Sequence, residues 1–425
     1  MGLARKFVAA CLLVSAAFAL QSCVFGNNER CNDGDRQCVG KSGAYRVCSG
    51  GEGYYSWDTH QCAGVEPVCS SSQPNIISCS DLASPTHCSG ASTLVSAGTT
   101  TLGNVVDLER DGTFDLVFVG GVVSRSDGKG RFETPHRLEL VTEGSLQQLL
   151  PAELNGDGIA DLAVTSDNPR ELYAFLGNGD GSYRFAQRYF VTTVPVLDTA
   201  VDLDGDGRDE LVGAAQYEGV HVFSGLGDAV LTDRLIDTRT ELGLGTIPGQ
   251  VFVADFDGKA PLDLAVDANS LNIYLTEPDG SHRQTATIGL AKAVGDLDGD
   301  GRADVAGRAD LDELAMTVHF AGSDASFAHT LNLALPYTPS SFFIADFDGD
   351  RVNDVAALLD ASGSVLVQVF IGNGQGTFRA AELLSTSFDP NAGVFVADID
   401  NDGKADLVSQ TAGRVIESSG ACLGQ

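Results

Sequence analysis

A nine-residue acidic pattern recurs seven times along this chain, starting at Asp107, Glu153, Asp202, Asp255, Asp296, Asp346 and Asp398. Successive starts lie 46, 49, 53, 41, 50 and 52 residues apart. A near-fixed period of this size means one supersecondary unit copied many times. The cleanest copy reads DLDGDGRADV, from Asp296 to Val305. Its carboxylates fall at positions 1, 3, 5 and 9, and alternate positions of a tight loop turn inward. With a backbone carbonyl near position 7 they form a cage of about six or seven oxygens, which calcium takes at about 2.3–2.6 Å. Magnesium dehydrates reluctantly and demands stricter octahedral geometry, so it fits less well. Glycine at position 6 lets the chain turn where a Cβ would clash.

The ligands expected in the first loop are Asp107, Glu109, Asp111 and Asp115, and in the second Glu153, Asn155, Asp157 and Asp161. The third has Asp202, Asp204, Asp206 and the longer Glu210. The fifth has Asp296, Asp298, Asp300 and Asp304, and the seventh Asp398, Asp400, Asp402 and Asp406. The sixth keeps Asp346, Asp348, Asp350 and Asp354, with Arg351 in place of the glycine. The fourth is damaged, because Lys259 and Ala260 stand at positions 5 and 6. There the Lys259 ammonium is expected to replace the metal between Asp255, Asp257 and Asp263. The count is then about five or six calcium sites, with the Asp255 loop empty.

An EF-hand needs a bidentate glutamate at position 12 and flanking helices. Position 12 here is Phe118, Val164, Gly213, Val266, Gly307, Ala357 and Ser409, none acidic. The residues after position 9, such as LVFV at 116–119 and LAV at 162–164 and 264–266, read as strands. Between loops, 32 to 44 residues separate the last ligand from the next first one, enough for four strands. After Asp406 only 19 residues remain, enough for strands at 407–409 and 414–417. The missing outer strand is expected from 91–97, followed by an inner strand at 102–106. The expected fold is all-β: a seven-bladed β-propeller of four-stranded antiparallel blades over 89–425, closed by its amino-terminal strand. Glycine-rich runs, FLGNGDGSYRF at 175–185 and FIGNGQGTFR at 370–379, read as tight hairpin turns. A phosphate-binding loop would need a following helix, and none is visible.

Arg5 and Lys6 precede an apolar run from Phe7 to Leu20, a secretory leader over 1–22. It ends Leu20-Gln21-Ser22-Cys23, which resembles the lipobox of bacterial lipoproteins. A rival cut after Ala19 would give a soluble secreted product. Eight cysteines follow Cys23, an even number, which favours lipidation of Cys23 over an odd thiol. Residues 23–30 then form the lipidated cysteine and a tether. Val24 is not the aspartate that resembles an inner-membrane retention signal, so the outer membrane or cell surface is expected. Residues 31–88 hold seven cysteines among Gly and Ser, a module that disulfides must hold. Seven cannot all pair internally, and the eighth is Cys422. A Cys88–Cys422 bridge is expected, with Cys79 as the alternative donor.

The formal charge of −32 argues against a nucleic-acid binder, which needs a basic face. The seven loops contain 27 of the 58 acidic residues, so metal ligation explains much of the acid. The seven histidines are scattered, with no HExxH, and there is no GxSxG. The chain is therefore read as a non-enzyme. The third-ranked alternative is a polysaccharide-acting enzyme with a hidden carboxylate pair. A lectin stands between the two, although no aromatic and polar pair recurs through the loops.

The acidic loops and F-x-G-N-G-x-G hairpins together resemble the FG-GAP, or VCBS, repeats of integrin α-subunit propellers and their bacterial relatives. The likeness covers about residues 90–425. The cysteine-rich segment resembles small disulfide modules of predatory or gliding bacterial lipoproteins. The resemblance implies calcium loops between strands A and B of each blade, beside the C–D hairpins. It implies ligand contacts on the opposite face, through B–C and D–A loops such as Ser166–Arg170, Gln216–Glu218, Thr238–Pro248 and Arg308–Glu313. Arg170, Tyr217 and Arg308 are the side chains singled out there. The chain is read as a monomeric surface adhesion or protein-interaction module, its partner a surface protein or glycan. Fold does not by itself settle function.

Overall fold

The structure is a computed structural model. It describes strand segments between residues 36 and 96, then 101–418 except 141, 144, 216–217, 226–230, 238–241, 243–248, 310–312, 362–363, 382, 387, 390–392 and 412–413. The leader, Cys23, Cys88, Tyr217 and Cys422 lie outside the described residues. No helix among the described residues is long and apolar enough to cross a membrane.

Seven antiparallel sheets of the same plan follow one another, each strand pairing with the next in sequence. Blade one comprises Leu102–Val106, Asp115–Phe118, Val122–Ser124 and His136–Arg137, lettered A to D. Blade two is the most regular: Leu146–Ala152, Asp161–Asp167, Arg170–Gly177 and Tyr183–Phe190. Blades three to six repeat the order, with A strands at Val196–Val201, Val251–Ala254, Ala291–Gly295 and Thr338–Ala345. Blade seven has Val394–Ala397, Asp406–Thr411 and Arg414–Ser418. Its fourth strand is Ser92–Ser96 from the amino side, antiparallel to strand C with Val95 opposite Val415. The closure read from the sequence is therefore present, and strand A of blade one begins and ends where expected. One feature was unforeseen: Thr86–His87 pairs in parallel with Leu384–Ser385 of blade six before the chain reaches blade seven.

B and C strands are buried on both faces, as in Asp161–Asp167 and Val365–Gly372, because a blade on each side covers them. D strands such as Tyr183–Phe190 alternate between partial and full exposure, as an outer edge should. Seven apolar clusters lie between successive blades, one for each junction. The cluster of Leu102, Val105, Phe118, Ala397, Ile399 and Val408 joins blade seven to blade one and shuts the ring. Ahead of the propeller, Arg36–Val39, Ala44–Gly51 and Tyr54–Gln61 form a three-stranded antiparallel sheet.

Candidate metal centre

Each acidic loop joins strands A and B, and its ninth residue is the first of strand B. That residue is buried in all seven blades: Asp115, Asp161, Glu210, Asp263, Asp304, Asp354 and Asp406. One of its carboxylate oxygens accepts the N–H of the loop's second residue. The donors are Leu108, Leu154, Leu203, Phe256, Leu297, Phe347 and Ile399, at 2.8–3.2 Å. These seven apolar side chains each sit in the cluster shared with the following blade. The other oxygen reaches the end of strand C, accepting from Ser126, Gly177, Thr276, Ala321 and Gly372 at 2.8–2.9 Å. The ninth carboxylate thus staples loop, strand C and blade junction together, a role the sequence reading did not assign.

This staple explains the hairpin glycines. A Cβ on Gly177 would lie 2.2 Å from the Ala160 carbonyl oxygen, and one on Gly372 would lie 2.5 Å from that of Asn353. Both carbonyls belong to position 8 of their loops. That position also chains the loops around the ring. The N–H groups of Asp209, Ala303 and Ala405 donate to the position-1 carbonyls of Glu153, Asp255 and Asp346 in the preceding blade, at 2.6–2.7 Å.

Within each loop the first carboxylate gathers backbone N–H groups. Asp296 accepts from Gly299 and Gly301 at 2.7 and 3.0 Å, and Glu153 holds four N–H groups between its two oxygens. Position 4 turns with positive φ in all seven loops and position 6 in six, loop four with Ala260 being the exception, so the turn has two left-handed positions rather than one. Arg351 adopts φ 69° at position 6, where an L side chain is strained. Arg351→Gly should therefore raise stability by about 0.5–1 kcal/mol, after the glycine's greater unfolded-state entropy is deducted. Urea unfolding at fixed calcium would read the change.

Three acidic residues with ligand oxygens all within 4.8 Å of one another occur in five loops among the described residues. In loops three and five they are positions 1, 3 and 5: Asp202, Asp204, Asp206 and Asp296, Asp298, Asp300. In loops four, six and seven they are positions 1, 3 and 9: Asp255, Asp257, Asp263; Asp346, Asp348, Asp354; and Asp398, Asp400, Asp406. The acidic residues of loops one and two are not brought together in this way. In loop one Glu109 is held by Arg125, and in loop two Asn155 donates its amide to Asp157 at 3.0 Å. Loop four does converge, and Lys259 Nζ lies 2.6 Å from Asp257 alone among the three carboxylates named for it. Arg208 and Arg302 pair with Asp206 and Asp300, and each also donates to a carbonyl at the end of strand C or just past it, Gly225 and Ala321.

Two observations show that the donor set suits a divalent cation. Asp400 Oδ1 is buried with no hydrogen-bond partner, although its carboxylate lies in the loop-seven cluster. The carboxylates also resist their own charge. Burial, against the pull of their backbone N–H donors, pushes Asp115, Asp304 and Asp354 up to about 7, and Asp161 and Asp263 up to about 6. Asp298, Asp348 and Asp400 are raised by burial and then by neighbouring carboxylates. Without a counter-charge such a cluster is electrostatically unfavourable, and a cation bound among oxygens relieves it.

The opposite face holds polar groups that the sequence did not announce. Arg170 donates to the Thr192 carbonyl at 2.8 Å, tying a B–C hairpin to the D–A linker. Arg308 is half-buried, its N–H on the Leu290 carbonyl. His221 is buried between Asp233 at 3.0 Å and Glu218 at 3.2 Å. Burial would lower its pKa, but Asp233 and then Glu218 outweigh that and hold it above the usual value. In blade two, buried Glu171 accepts from Tyr173, and Arg188 lies 3.6 Å from Glu171 and 2.7 Å from Glu143.

The chain is thus a seven-bladed β-propeller with an acidic turn in every blade. Residues 346–409 match the profile of the FG-GAP-like repeat family. That stretch runs from the first acidic residue of loop six to strand B of blade seven. No curated protein matches the chain. Three solved structures are similar at low identity. BBS1N, crystallised in complex with ARL6DN and soaked with mercury, is 14% identical over 77% of this chain and 93% of its own, with TM-score 0.49. Sqt1 of Saccharomyces cerevisiae is 9% identical over 89% and 90%, with TM-score 0.47. The Dos1 propeller is 11% identical over 78% and 94%, with TM-score 0.45.

Proposed function

We propose that this chain is an exported, non-catalytic interaction module, anchored by lipid at Cys23 to the outer membrane or cell surface, whose acidic loops bind calcium. The observation that carries the metal reading is the unpartnered Asp400 oxygen inside a converging carboxylate cluster. Asp398, Asp400, Asp402 and Asp406 would hold one ion, and the equivalent residues of loops three, five and six would hold others. Bound calcium would supply the charge these oxygens lack. Its oxygen-rich, flexible preference matches the loops better than magnesium's strict octahedron. The rest follows from this chain's own residues. The first and ninth carboxylates fix the loop backbone, the second residue plugs the blade junction, and the opposite face is held in one shape. A rigid face loses less entropy on meeting a partner. That partner is read as a surface protein or a glycan, and the net charge of −32 argues against nucleic acid.

Affinity near 10⁻⁴–10⁻³ M, typical of extracellular modules, gives about 1.4 kcal/mol per site at tenfold excess. The test is capture from cell-surface extracts with calcium and with chelator, followed by glycan-array binding. Capture that depends on calcium supports the reading, and a glycan hit identifies the partner class. Equal capture with chelator would break the link between metal and interaction face.

A further inference from the structure

We propose that loop one carries a built-in cation, the Arg125 guanidinium, in place of calcium, so that the junction of blades one and two holds without metal. The inference rests on the calcium reading of the other loops and says which of them it excludes.

Arg125 follows strand C of blade one. It precedes Ser126, whose N–H bonds the ninth carboxylate, Asp115, at 2.8 Å. In four other blades the residue at that register is buried and apolar: Leu176, Leu275, Phe320 and Ile371. Blade one alone of these places a guanidinium there. Its Nε donates to Glu109 Oε1 at 2.5 Å, with both side chains about a quarter exposed. Its second nitrogen donates to the Gly181 carbonyl of the blade-two hairpin at 2.7 Å, and the third lies 3.3 Å from His136 Nε2. One side chain therefore neutralises Glu109, the carboxylate at position 3 of loop one, and bolts it to the next blade. The planar fork of arginine suits such divided bonding.

The geometry of loop one agrees. Its acidic oxygens do not converge as those of loops three to seven do. Asp111 is satisfied by Thr113, through both its N–H and its hydroxyl. A second arginine of the loop, Arg110, pairs with Asp209 of blade three at 3.3 Å. Loops three and five also carry arginine pairs, on Asp206 and Asp300, but there three carboxylates still meet. Arginine at position 7 is therefore compatible with a convergent loop, whereas Arg125 takes the place of one.

The test counts calcium per chain by mass spectrometry after equilibrium dialysis, for the wild type, Asp400→Asn, Glu109→Gln and Arg125→Gln. Asp400→Asn should lose one ion, which shows that the assay counts single loops. Glu109→Gln should keep the wild-type number, because loop one holds none. Arg125→Gln should gain one ion. Loss of an ion in Glu109→Gln, or no gain in a folded Arg125→Gln, would overturn the proposal while leaving the calcium reading intact. If Arg125→Gln does not fold, Glu109→Gln decides alone. No calcium in the wild type would end the calcium reading itself, and this inference with it.

Discussion

The chelated protein should melt at a higher temperature at pH 5.5 than at pH 8, and calcium should stabilise it far more at pH 8. The cause is the burial of the ninth carboxylates. Asp115, Asp304 and Asp354 sit at about 7 in the folded chain, against 3.8 for an unperturbed aspartate. A group raised on folding is most stabilising while protonated, below its unfolded value. That contribution is lost as pH climbs through the folded value. Between pH 5.5 and pH 8 the loss is about 2 kcal/mol for each carboxyl that titrates near 7. Asp198 also lies near 7. It is the bulged residue of strand A in blade three, half-buried and accepting the Val251 N–H, and it adds to the same trend. Calcium and protons compete for the loop oxygens, so the metal's effect shrinks on acidification. Scanning calorimetry at the two pH values, with chelator and with millimolar calcium, gives four melting temperatures. Chelated protein melting higher at pH 8 would contradict the assignment.

Asp354→Ala should destabilise the protein by about 2–5 kcal/mol with or without calcium, whereas Asp348→Asn should matter only with calcium. Asp354 accepts the N–H of Phe347 at 2.9 Å and that of Gly372 at 2.8 Å. Truncation leaves two donors without an acceptor in a buried site, at about 1–3 kcal/mol each. Phe347 is fully buried between blades six and seven, so the loss reaches that junction. Asp348 instead accepts only an exposed Asp350 N–H at 3.2 Å, which an asparagine oxygen also accepts. In chelator Asp348→Asn should leave stability unchanged or slightly raised, because a like charge is removed. In saturating calcium it should lose about 1–2 kcal/mol, one site's worth of linkage. Denaturant midpoints of both variants in both conditions separate the staple from the ligand.

The repeat made the fold legible. A period of 41 to 53 residues, β-rich runs after each ninth position and a short carboxyl end were enough to place Leu102–Val106 and to require an amino-terminal strand in blade seven. What escaped was apposition through the sheet. Arg125 is 16 residues from Glu109, His221 is 12 from Asp233, and Gly181 is 56 from Arg125. None of these pairs follows a local spacing rule, because strand pairing and blade contact bring them together. The second residue of each loop was visible as Leu, Phe or Ile throughout, yet its role appears only once the ninth carboxylate is seen holding its N–H. The sequence assigned position 9 one task, and the structure gives it a second. The fourth loop shows the reverse. Lys259 was expected among three carboxylates, and it reaches one, Asp257, while lying largely exposed.

The most direct test of calcium in these turns is a high-resolution crystal structure grown in millimolar calcium. A single strong peak is expected in loop seven, bonded at about 2.3–2.6 Å to oxygens of Asp398, Asp400 and Asp406. A water at about 2.8 Å in its place, under the same conditions, would contradict it.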